Sequence, residues 1–205
     1  MRYNKHKYIS MKKAFEITMK TIIFNGSPRP SGDTAALIQA LSAALPEAPQ
    51  IIDTYRADIH PCVDCRQCWH EVGCVIQDEM QPLYRDIIAC DCIIIASPVY
   101  FSSLTGPLLS LMSRLQMLYT AAHMQGIHLI ERKKVGGILL CGGGNGRLDY
   151  AEKTAEGLLY AMHAAHIGSV CTHCTDTLSA KEDALLLDRA RRLADALISA
   201  HRQTQ

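Results

Sequence analysis

Between Thr21 and Thr34 the chain reads TIIFNGSPRPSGDT. A short run of β-branched and apolar residues stops at Gly26. A loop of Gly, Ser, Pro and a single Arg follows, and a helical pattern begins at Thr34. This order, buried strand to small-residue loop to helix start, restricts the fold more than any other stretch. It is how a parallel sheet opens an αβ unit, and where such a sheet holds an anion. Amides left unpaired at a helix start, together with the helix dipole, face whatever negative group sits there. Arg29 and the hydroxyls of Ser27, Ser31 and Thr34 are placed to add to them. Alone, the stretch reads more readily as an ordinary strand–helix connection, so the rest of the chain has to decide.

Taken in order, the chain alternates. Residues 20–25 form the first strand. Ala35, Ala36, Leu37, Ile38, Ala40, Leu41, Ala44 and Leu45 then recur at helical spacing until Pro46 stops them. Residues 50–53 read as a short strand and 59–77 as an irregular loop, with Asp78 capping a helix through Leu83, Tyr84, Ile87 and Ile88. The run from Cys92 to Ala96 is continuously apolar, the pattern of a strand covered on both faces. A helix opens near Gly106-Pro107, with proline at its tolerated first turn. Residues 134–141 (KVGGILLC) form the fourth strand, 148–165 a helix and 167–171 a fifth strand. Ser179-Ala180-Lys181-Glu182 has the form of a capping box opening a last helix, which fades after His201. Five alternations without repeat or linker give the α/β class, a parallel sheet with helices on both faces. The most apolar runs are the first, third and fourth strands, which therefore belong at the centre. The expected sheet order is 2-1-3-4-5, with a ligand crevice at the carboxyl ends of the strands. Residues 1–18 read as an N-terminal extension and 19–205 as one domain.

A formal net charge of +1 gives no electrostatic reason to expect nucleic acid or an anionic membrane surface as partner. No apolar run approaches the roughly 18–20 residues that span a bilayer, and the basic opening MRYNKHKYIS lacks the apolar core of a signal peptide. Nine cysteines are many, but four crowd one loop and others sit in apolar strand-like runs. That distribution implies a reducing, cytoplasmic setting rather than a disulfide framework.

Three loops, GSPRPSGDT, SPVYFSS and CGGGNG, follow the first, third and fourth strands and should open on one edge of the sheet. The first suits a phosphate. The second offers backbone groups and the Tyr100 ring to a flat heterocycle, and the glycines of the third let backbone approach a ring closely. A mononucleotide is the ligand such a set implies. A dinucleotide turn is not supported, because GSPRPSG lacks the required glycine spacing, and a P-loop is excluded by the missing Gly-Lys-Ser/Thr.

These motifs, with SPVYFSSLTGPLLSLMSR and CGGG at matching distances, resemble the flavodoxin-like NAD(P)H-dependent FMN reductases from Met19 onward. The resemblance implies a flavodoxin-like three-layer sandwich. It implies Ser27, Arg29 and Thr34 at the FMN phosphate, Pro98, Val99, Tyr100 and Phe101 beside the isoalloxazine, and Gly142, Gly143 and Gly144 at its other flank. Where that family carries an Asn before the Thr, this chain has Asp33, which brings a carboxylate near the phosphate unless it turns away. Ser113-Arg114 replaces the Asp-Arg common in relatives, a change to which the sequence assigns no consequence.

Cys62, Cys65, Cys68 and Cys74 are spaced C-x2-C-x2-C-x5-C. Three cysteines at intervals of two echo the ferredoxin spacing for a cubane cluster, whereas zinc more often takes two separated C-x2-C knuckles. The motif resembles that of the iron–sulfur flavoproteins, which implies a [4Fe–4S] cluster near FMN. Cluster-free FMN reductases also resemble this stretch, so cluster, zinc and free thiols all stay open. The activity implied is hydride transfer from NAD(P)H to FMN, then electron transfer to a flavin, quinone or other small acceptor, with or without the cluster. No acid–base triad is expected. The rival reading is a non-enzymatic electron carrier or a cysteine-based redox or metal sensor. Relatives imply a homodimer or homotetramer.

Overall fold

In the computed structural model, residues 18–204 are described, so most of the expected N-terminal extension lies outside the described residues. Five strands form one parallel sheet in the order β2-β1-β3-β4-β5. They are β1 (Thr21–Asn25), β2 (Gln50–Asp53), β3 (Cys92–Pro98), β4 (Lys134–Cys141) and β5 (Ala164–Thr172). Six α-helices connect or flank them: α1 (Asp33–Ser42), α2 (Met80–Ala89), α3 (Gly106–Met112), α4 (Gln116–Met124), α5 (Asp149–Ala161) and α6 (Ala184–Thr204). This is the doubly wound, flavodoxin-like arrangement. No helix among the described residues is long and apolar enough to cross a membrane.

The unbroken apolar run of β3 has a simple cause. Ile93 and Ile95 point into a core with residues of α2, α3 and α5, while Cys92, Ile94 and Ala96 point into a second core with α1 and α6. Alternate side chains of one strand thus serve two apolar layers, as a central parallel strand requires.

Two boundaries differ from the sequence reading. The helix expected over 148–165 ends at Ala161, because His163 adopts a left-handed conformation (φ 58°) and its carbonyl accepts the amide of Lys134 at 3.0 Å. β5 therefore starts early, and its pairing with β4 shifts register between Gly136 and Gly137, leaving Ile167 as the extra residue. The capping box at Ser179 also fails. Ser179 donates its hydroxyl to Asp33 at 2.8 Å, and α6 begins at Ala184, where Asp183 Oδ1 accepts the Leu186 amide at 2.9 Å.

Candidate functional site

The loops after β1, β3 and β4 meet at the carboxyl end of the sheet. Gly26 is where the first two touch: its amide donates to the Ala96 carbonyl at 2.7 Å, and Thr105 donates its hydroxyl to the Gly26 carbonyl at 2.8 Å. A Cβ there would stand 2.9 Å from Thr105 Oγ1, so only glycine permits this approach. Beyond it, Asn25 Oδ1 accepts the Ser27 amide, Ser27 Oγ accepts the Arg29 amide, and α1 begins at Asp33. The first-turn amides of α1 have no intrahelical partner to reach.

An open cleft of about 390 Å³ results, within the range of small-ligand sites. Of the residues expected at a nucleotide, Ser27, Arg29, Asp33, Thr34, Pro98, Val99, Tyr100, Phe101, Gly143 and Gly144 line it. Ser31 does not; it lies in a separate groove with Pro30, Ala35 and Lys181. Gly142 is a strut rather than a wall, its amide donating to the Thr172 carbonyl at 2.9 Å and its carbonyl accepting the Thr175 amide at 3.1 Å.

The cleft has a polar end and a flat end. Thr34 and Ser27 are buried at the polar end, with Arg29 exposed at its rim. Asp33 does not oppose an anion there with a bare carboxylate, because its Oδ1 accepts both the Ser179 hydroxyl and the Ala180 amide, at 2.8 and 2.7 Å. At the flat end, Tyr100 and Ser103 exchange backbone hydrogen bonds across a two-residue turn with Phe101 and Ser102 both left-handed. That turn holds the Phe101 ring fully in solvent above the cleft. Such conformations cost about 1–3 kcal/mol each in residues that carry a Cβ and concentrate at ligand sites.

Cys141, Thr175 and Asp176 also line the cleft and were not anticipated. The expected sheet order contained the signal, since β5 borders β4 and its following loop must open beside the glycine loop. Amides of Cys174, Thr175 and Asp176 donate to the carbonyls of Gly144, Gly142 and Gly143. Burial pushes the Cys141 thiol up to about 12, so it faces the cleft as a neutral thiol.

The cysteine loop forms a second site. Cys62, Cys65, Cys68 and Cys74 line one small cavity of about 30 Å³, with Trp69 and Arg114 in its walls. Asp64 and Arg66, between the cysteines, are both left-handed, and the Arg66 guanidinium lies 4.9 Å from the Trp69 ring centre. The loop is held from below. Ser113 Oγ accepts the Cys62 amide at 2.9 Å, Gln125 donates to the Cys68 carbonyl at 2.7 Å, and Gln81 donates to the carbonyls of Cys74 and Ile76. Ser113-Arg114 thus has a consequence the sequence hid: it fixes this loop. Among the described residues, no three of these sulfurs come within 4.8 Å of one another. A single zinc with sulfurs at about 2.3 Å needs them closer; a cube of iron and sulfide, with its corners set apart, does not.

Residues 19–175 match the family described as NADPH-dependent FMN reductase. The chain belongs to that family. Among its curated relatives, an iron-sulfur flavoprotein of Methanocaldococcus jannaschii is 34% identical over 127 residues, 60% of this chain and 62% of the relative. An iron-sulfur flavoprotein of Methanosarcina thermophila is 30% identical over 71% of this chain and 73% of its own length. The chain spans from half to about three quarters of the curated relatives first matched. A solved NAD(P)H:quinone oxidoreductase from Methanothermobacter marburgensis superposes with a TM-score of 0.66 at 16% identity, over 87% of this chain and 95% of that one. At that identity the likeness shows the family's fold.

Proposed function

We propose that this protein is an FMN-dependent oxidoreductase that takes hydride from NAD(P)H and passes electrons to a flavin, a quinone or another small acceptor. One observation carries the reading: three small-residue loops from separate strands line one cleft with an anion-holding end and a flat end. Ser27, Thr34, Arg29 and the start of α1 hold the phosphate. Pro98–Phe101 cover one side of the ring system, and the backbone of Gly143 and Gly144 approaches the other. Bound FMN supplies hydride acceptance and onward electron transfer, while the chain contributes orientation and hydrogen bonds.

Cys62, Cys65, Cys68 and Cys74 hold a [4Fe–4S] cluster in the same reading. Four thiols lining one cavity support it, as do the iron-sulfur flavoprotein names of the curated relatives. Val63, Trp69, Val72 and Val75 expose apolar surface around this loop, which supports a homodimer or homotetramer, checked by light scattering after gel filtration. The protein purified without oxygen should show flavin and cluster absorbance, with iron and sulfide near four each per chain. Stopped-flow mixing with NADH and NADPH, and flavin, quinone and ferredoxin-type acceptors, should show turnover. Flavin binding without turnover for any acceptor would favour an electron carrier or sensor instead.

A further inference from the structure

Arg114 is the largest fully buried side chain in the described protein, at 1% exposure. A buried guanidinium is tolerated only when its charge and its donors are met. Here Nη1 donates to Asp78 Oδ2 at 2.6 Å and to the His60 carbonyl at 2.9 Å, and Nη2 reaches the Ile76 carbonyl at 3.4 Å. His60 precedes the first loop cysteine and Ile76 follows the last, so one side chain ties both ends of the loop. The Nε–H, however, is buried with no partner among the described residues. Buried donors are rarely left unpaired, and an orphan in a wall of a ligand cavity needs a reason. Arg114 lines the cavity with the four cysteines, and Cys74 stands close enough to act on its charge.

Tyr84 reinforces the position. Its hydroxyl donates to the Arg114 carbonyl at 2.8 Å, and Cys74 neighbours that same hydroxyl. The guanidinium is therefore held by contacts that leave its Nε–H unmet among the described residues, in a side chain that lines the cysteine cavity. Four thiolates around an iron–sulfur cube carry net negative charge, and reduction adds another electron to them. A positive group and an N–H donor beside one corner favour the reduced state, since hydrogen bonds to the sulfurs and local charge set cluster potentials.

We infer that Arg114 is a positioning residue for the cluster: it ties the cysteine loop at both ends and donates its Nε–H to a cluster sulfur on the Cys74 side, raising the reduction potential. The inference rests on the cluster proposed above. Arg114→Lys keeps the charge and can keep the contact with Asp78, but has no donor at the Nε position. In reconstituted protein, EPR-monitored titration should give a more negative cluster midpoint for R114K than for the wild type. Iron loss to a chelator should be on the order of tenfold faster, as for other outer-shell changes, with FMN affinity unchanged. An unchanged midpoint in an R114K protein that folds and binds FMN normally would overturn the inference.

A measurement on the wild-type chain covers the case in which R114K does not fold. With 15N-labelled arginine, pulsed EPR of the reduced cluster should show a 15N coupling that survives Arg66→Ala, which removes the other arginine lining the cavity. Loss of all coupling in R66A would overturn the assignment to Arg114. A wild-type chain that retains no iron or sulfide after anaerobic reconstitution would overturn the inference together with the cluster reading. It is told apart from the other failures by its metal content alone.

Discussion

At Asp78 a single carboxylate carries much of what organises the cysteine loop. Its side chain is only 2% exposed. Burial works to raise its pKa, but the hydrogen bond from Arg114, the amides of His60 and Met80 and the Arg114 charge together hold it below the usual carboxylate value. A group whose folded pKa is depressed stabilises the fold above its unfolded pKa, about 3.9 for Asp. That contribution is lost as pH falls through the lower folded value. The wild type should therefore lose thermal stability in acid, below about pH 4, while Asp78→Asn should start lower and show a shallower acid slope. Removing one partner of a buried pair leaves the other uncompensated, so D78N should cost about 3–5 kcal/mol near pH 7 in urea unfolding. Asp33 gives the opposite expectation. Its Oδ1 accepts two hydrogen bonds, and an amide oxygen can accept the same two. Asp33→Asn should fold nearly as well as the wild type and bind FMN about three- to tenfold more tightly, because about 0.7–1.4 kcal/mol of repulsion at the phosphate end is removed. Flavin fluorescence quenching reads this directly, and unchanged affinity would mean that the carboxylate is remote from the phosphate.

Elements differ in how far they could be read from the chain, and the differences have physical causes. β3 and β4 were plain because residues buried on both faces leave unbroken apolar runs. The strand order followed from which runs were most apolar, and the loops of the cleft followed from that order. Ends set by distant partners were not legible. The start of α6 depends on where the Ser179 hydroxyl goes, and it goes to Asp33, 146 residues earlier. The cysteine motif was visible, but Ser113 and Arg114, which hold it, lie far along the chain and carried no local signal. Gly142 and Ser31 do not line the cleft, which the motif could not foretell, because motif membership says nothing about which way a backbone group faces. The junction between the first and second loops can be tested by Gly26→Ala. Its Cβ would meet Thr105 Oγ1 at 2.9 Å and both Ser97 Oγ and Leu108 Cδ2 at 3.0 Å. Overpacking of this kind typically costs about 1–3 kcal/mol. Because the same shift displaces Ser27, FMN affinity should fall as well, so denaturation and flavin titration should move together.

Across the whole molecule, α3 joins the two sites. The loop lining the cleft leads into its N-terminus, and Ser113 and Arg114 at its far end hold the cysteine loop. Seven helical residues rise only about 10 Å, so cleft and cysteines are close enough for one rigid element to fix their relation. The distribution of the nine cysteines makes this division testable by thiol chemistry. Cys90, Cys92 and Cys141 are buried, and burial pushes each thiol up, Cys90 to about 11 and Cys141 to about 12. The loop cysteines are half-buried or exposed, as is Cys174 beyond β5. Since the thiolate is the reactive form, brief alkylation of the metal-free native protein at neutral pH should label Cys62, Cys65, Cys68, Cys74 and Cys174. Cys90, Cys92, Cys141 and Cys171, the last half-buried with its thiol pushed up by burial to about 11, should be labelled only after denaturation. Peptide mass spectrometry counts each position. Repeating the experiment on anaerobically reconstituted protein then separates the ligand sets. A cluster bound by all four loop cysteines protects those four and leaves Cys174 reactive. Retained reactivity at any one of the four in iron-replete protein removes that residue from the set, and retained reactivity at all four leaves the loop as free thiols.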